Sequence, residues 1–128
     1  MPSPKLERIK EQYRGAAVLL DRMAEYIRNQ LANHQEFIVP KLAAAALGIK
    51  EGEAFVLLRM MVDAGLLKQQ YNVYCRDKDL YIESVDTLDG LDKVGYCDDC
   101  DTQHEPHELA AEIAFRPTSD IGANGLAA

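Results

Sequence analysis

Apolar residues recur in the first third of the chain at Leu6, Ile9, Tyr13, Ala16, Leu20, Met23 or Ala24, Ile27 and Leu31. Steps of three and four put them on one helical face, so the pattern predicts a helix from Pro4 to about Leu31, opened by a Ser3–Pro4 cap and first-turn pair. Gly15 falls inside it, where glycine costs about 1 kcal/mol relative to alanine, and so marks a kink or a close helix contact. The first half, with Leu6, Ile9 and Tyr13, needs a surface to pack on. A second copy of the chain is one expectation, and its own domain is the other.

The pattern then changes. Phe37-Ile38-Val39 is a short β-prone run, and Pro40 is pre-set for the first turn of a helix. "PKLAAAAL" makes two helical turns ended by Gly48, "EAFVLLRMMVDAGLL" makes a third helix, and Gly65 is its expected C′ residue. Tyr71, Val73 and Cys75 then alternate with polar neighbours, and a polar "RDKD" turn leads to Leu80, Ile82 and Val85, the pattern of a β-hairpin. Leu109, Ala111, Ile113 and Phe115 alternate again and predict a last strand. "TSDIGANGLAA" has no apolar face and is expected to be a disordered tail. The class is α+β.

Two short helices joined by a Gly-containing turn with Ile49 as an apolar plug form a helix-turn-helix pattern. Helix, short strand, turn unit and hairpin together resemble the winged helix-turn-helix superfamily over roughly residues 16–85. The resemblance implies a division into an N-terminal helix extension (1–15), a winged helix (16–86), a small C-terminal extension (87–117) and a tail (118–128). It implies no single function, because one fold hosts many roles.

The extension holds the most distinctive chemistry. "GYCDDCDTQHEPHE", residues 95–108, contains Cys97-x2-Cys100, the spacing at which a tight turn points two sulfurs at one ion. Zinc takes four ligands, and a hairpin strand folding back brings Cys75 to the pair. The expected structural Zn²⁺ site is Cys75, Cys97, Cys100 and His104, with His107 as the substitute fourth ligand. The segment resembles a zinc ribbon that has lost one cysteine, since position 78, where a second CxxC would place it, is Lys78. A winged helix followed by a ribbon is loosely similar to archaeal general transcription factor E, but cysteine count and spacing depart from that family and its function is not carried over. Unliganded thiols in an acidic loop are the plain alternative. A redox CxxC lacks the thioredoxin-like βαβ setting and any basic neighbour to lower a thiol pKa.

Charge narrows the partners. The 128 residues carry a formal net charge of −7. Residues 1–40 hold six Lys/Arg against five Asp/Glu, residues 41–74 four against three, and residues 75–128 four against thirteen. Nucleic acid, bound by neutralising phosphates, is repelled from the acidic end. The third helix would enter the major groove of DNA in a winged-helix reader, yet its charged residues are Glu51, Glu53, Arg59 and Asp63. Lys41, Lys50, Arg59, Arg76 and Lys78 are the groups a DNA-binding regulator would use.

The sequence reading is therefore a non-enzymatic interaction or regulatory subunit of a larger assembly, with DNA-binding transcriptional regulator as the alternative. A catalytic variant would have zinc on Cys75, Cys97 and Cys100 alone, water in the open position and Glu105 or Glu108 as base. No apolar run approaches the ~18 residues needed to span a bilayer, and the first ten residues lack the apolar stretch of a secretory signal. A cytoplasmic location with no membrane partner is expected.

Overall fold

The computed structural model describes residues 4–76, 80–87, 96–97, 102–103 and 109–118. The Ser3 cap, the tip residue Lys78, most of the 88–108 segment and the tail from 119 lie outside the described residues. Helices α1 (Pro4–Gln12), α2 (Ala17–Ala32), α3 (Pro40–Leu47) and α4 (Glu51–Asp63) precede strands β1 (Leu67–Cys75), β2 (Leu80–Val85), β3 (Tyr96–Cys97), β4 (Thr102–Gln103) and β5 (Leu109–Pro117). The α+β class holds. Three strands form an antiparallel sheet in the order β2-β1-β5, and β3 and β4 form a separate two-stranded ladder. By compactness the chain divides into residues 1–69 with 115–128, and residues 70–114.

In the first unit the expected single N-terminal helix is two. Tyr13 leaves the helical region at φ −124°, ψ 67°, and one 3₁₀ turn, Arg14–Ala16, precedes α2. A Cβ at Gly15 would meet nothing within 4 Å, so this glycine belongs to a break and not to a close helix contact. Lys10 spans the break, its Nζ 2.8 Å from Asp21 Oδ1 on α2 and 3.0 Å from Glu7 Oε1. These hydrogen bonds, to Asp21 first and Glu7 second, raise its pKa above the ordinary 10.5.

Helix α2 buries Leu20, Met23, Ala24 and Ile27, the i, i+3, i+4, i+7 stripe of a core-facing helix. It ends on His34, a non-glycine residue at φ 64° whose N–H donates to Leu31 O at 3.1 Å. Ile38 then exchanges both backbone hydrogen bonds with Phe115 of β5, at 2.6 and 2.8 Å. Pro40 opens α3, and Gly48 closes it at φ 71°, where Arg22 of α2 donates to the Leu47 carbonyl at 2.7 Å.

Helix α4 starts with Glu53 Oε1 accepting the Lys50 N–H at 3.0 Å, half of a capping box. It stops at Gly65, φ 82°. Leu66 N–H donates to Met61 O and Gly65 N–H to Val62 O, the two bonds of a Schellman motif. Phe115 is fully buried and meets Phe55 edge-on at 6.0 Å between centroids. Thr118 fastens the same segment, its Oγ1 donating to Gly65 O at 2.8 Å.

In the second unit β1 and β2 pair with a register shift between Val73 and Tyr74, where Ile82 has no opposite residue. An extra residue lets two successive side chains share one face. Ile82 and Val85, three apart, therefore both pack on Val73 and Leu109.

Candidate functional site

Helices α3 and α4 form the turn unit from which a winged helix would present its binding surface. The buried side of α4 is Ala54, Leu57, Leu58 and Met61. Opposite it, at helical spacing, lie Gly52, Val56, Arg59 and Asp63. Val56 is 52% exposed. Arg59 does not reach outward freely, because its Nη1 donates to Gln69 Oε1 at 2.7 Å and its Nη2 lies 3.7 Å from Asp63 Oδ1. The first turn adds Glu51 and Glu53. Carboxylates suit the positive end of the helix dipole and would repel phosphate there. The outward surface of α4 is thus a valine between acidic groups and an already engaged arginine.

The other cations expected for DNA are dispersed. Lys41 and Lys50 are exposed at either end of α3 and its following turn. In the second unit, Arg76 Nε donates to the Leu109 carbonyl at 2.8 Å, which fixes that guanidinium against β5. Lys78 lies outside the described residues.

Of the expected zinc ligands, Cys75 is fully buried at the end of β1, opposite Leu80, and is in no disulfide. Cys97 is the last residue of β3, paired with Thr102, the first of β4. Four residues, 98–101, separate the paired positions, and Cys100 is the third of them. Cys100, His104 and His107, and the side chain of Cys97, lie outside the described residues. Among the described residues, no three His, Cys, Asp or Glu side chains gather into a metal-binding group.

The N-terminal face expected as a dimer seam is occupied by the chain itself. Leu6 and Ile9 are only 5% and 4% exposed, because α1 packs on α2 and α4. Tyr13, beyond the helix end, is exposed. Packing on its own domain, the second of the two expectations, accounts for Leu6 and Ile9.

One cluster has no counterpart in the sequence reading. On the second face of the β1–β2 pair, Gln70 and Asn72 are buried polar residues. Gln70 Nε2 donates to Asn72 Oδ1 at 2.7 Å and to Ser84 Oγ at 3.0 Å, Ser84 Oγ donates to Asn72 Oδ1 at 2.7 Å, and Tyr81 OH lies 2.6 Å from Ser84 Oγ. Asn72 Nδ2 has no hydrogen-bond partner among the described residues. The only sequence signal was a polar residue at every second position of β1, which reads equally as a solvated face.

No family model, curated protein or solved structure matches the chain. Among the described residues no helix is long and apolar enough to cross a membrane.

Proposed function

We propose that the chain is a winged-helix protein that works by binding another protein, as a non-enzymatic interaction or regulatory subunit, with residues 70–114 stabilised by a structural zinc ion. The observation that carries the choice of partner is the outward stripe of α4. A helix that reads DNA needs free basic or amide side chains aimed at base edges and cations on phosphates. Here that stripe is Gly52, Val56, an arginine held by Gln69 and Asp63, and Asp63 itself.

The winged-helix reading is supported by the order α2, Ile38, α3, α4, β1 and by the Ile38–Phe115 bridge. On this reading Ile38, β5 and β1 are the three strands of the winged-helix sheet. Zinc is supported by the donor chemistry. A buried thiol ends β1, a second cysteine ends β3 just before a four-residue connection containing Cys100, and all five candidate ligands fall by number within residues 70–114. Three thiolates and one imidazole, from His104 or His107, make a closed tetrahedral set that leaves no position for a reacting water. The ion's role here is to hold the fold.

Affinity capture with the full chain and with Val56→Glu tests the interaction reading. A stable protein partner recovered with the parent chain and lost with Val56→Glu is the expected result. A partner retained equally by both would remove α4 from the interface. Recovery of duplex DNA alone would favour a DNA-binding regulator working through Lys41 and Lys50.

A further inference from the structure

A half-open cleft of about 360 Å³ lies between α1 and the C-terminal end of α4. Lys5, Arg8 and Ile9 of α1 face Met60 and Asp63 of α4 across it, and Tyr13 stands where α1 stops. Small-molecule sites start at roughly 300 Å³, so the space suits a compact ligand. Its charge runs against that of the molecule: the chain is −7 overall, yet the cleft has two cations to one carboxylate. That carboxylate, Asp63, is partly compensated by Arg59 at 3.7 Å. Arg8 is exposed and has no hydrogen-bond or ion-pair partner among the described residues. Beside these charges, Ile9 and Met60 give an apolar floor and Tyr13, 41% exposed, an aromatic wall.

We propose that this cleft binds a small carboxylate with an aromatic or aliphatic body. The carboxylate pairs with the planar fork of Arg8, which matches two oxygens at once, in the positive field of Lys5. The apolar body lies on Ile9, Met60 and Tyr13. Tyr13 N–H donates to Ile9 O at 2.8 Å, the i, i+4 relation that keeps the ring on the same face as Ile9. The site shares Asp63 with the outward stripe of α4, but Lys5, Arg8 and Ile9, which carry it, lie on α1 and take no part in the interaction reading.

Calorimetric titration of the full chain with 2-naphthoate, and with its neutral counterpart 2-naphthamide, tests this. Saturable one-to-one binding of the carboxylate is expected, with the amide at least tenfold weaker. Charged hydrogen bonds of this type are worth a factor of about ten or more, so Arg8→Gln should weaken 2-naphthoate by that factor at an unchanged melting temperature. Lys41→Gln, which removes an exposed cation on α3, should leave the affinity unaltered. No binding up to millimolar 2-naphthoate, equal binding of the amide, or an affinity indifferent to Arg8→Gln would overturn the proposal.

Discussion

His34 shows how much one backbone angle decides. A non-glycine residue in the left-handed region carries a steric cost of roughly 1–2 kcal/mol, and His34 sits there at φ 64° because α2 has to turn towards Ile38. Its side chain is exposed and makes no hydrogen bond or ion pair among the described residues to offset the strain. His34→Gly is therefore expected to stabilise the chain by about 0.5–1 kcal/mol, the gain in the native state being reduced by the greater freedom of glycine when unfolded. Chemical denaturation measures this directly, and a loss of stability would mean the imidazole has a role. Asn72 is the opposite case. Its amide accepts from Gln70 and Ser84 while its own Nδ2 is unpartnered among the described residues, an arrangement that costs about 1–3 kcal/mol when buried. Alternation alone does not distinguish it, since an asparagine in an alternating strand reads as exposed until the opposite face is known to be covered.

At the scale of elements, the helices and the first hairpin were legible because each carries local signals. Pro40, Gly48, Glu53 and Gly65 bracket α3 and α4 as their chemistry requires, and the three-and-four spacing of Leu20, Met23, Ala24 and Ile27 survives as the buried stripe. The break at Tyr13 lies where the apolar period continues unbroken, so only Gly15, read as a kink or a close helix contact, announced it. The bulge at Ile82 had no turn residue to announce it, and only the shared packing of Ile82 and Val85 on Val73 explains it. The alternation of Leu109 to Phe115 did predict β5, but pairing between positions 77 residues apart, Ile38 with Phe115, is set by tertiary structure. That pairing makes Phe115 part of the helical core, fully buried against Phe55. Truncating a buried phenylalanine costs about 3–5 kcal/mol, so Phe115→Ala is expected to unfold residues of the first unit at much lower denaturant, read by loss of helical circular dichroism. An unchanged midpoint would show that β5 is dispensable to the helices.

For the whole molecule, the sequence located an uneven charge and a cysteine-histidine segment, and of the expected ligands the described residues include the Cys75 side chain and the backbone of Cys97. A metal site formed by distant residues becomes visible only through spacing, which supports the Cys97–Cys100 pair far better than it supports Cys75 or either histidine. If zinc holds residues 70–114, elemental analysis of the purified chain will give one zinc per chain, and a chelator will lower the melting temperature. Cys97→Ser will lower it similarly and abolish the chelator effect, because metal binding contributes directly to folding free energy. Metal-free protein with an unaltered melting temperature in Cys97→Ser would leave an acidic loop with unliganded thiols.

We propose that α4 presents a surface for protein and not for DNA. Fluorescence anisotropy of a labelled random duplex, titrated with the chain from 20 to 200 mM salt (about the range over which phosphate contacts are lost), tests it most directly. The account predicts no binding at micromolar protein even at the lowest salt. Tight binding at low salt that falls steeply as salt rises, and that weakens in Lys41→Gln and Lys50→Gln, would contradict it.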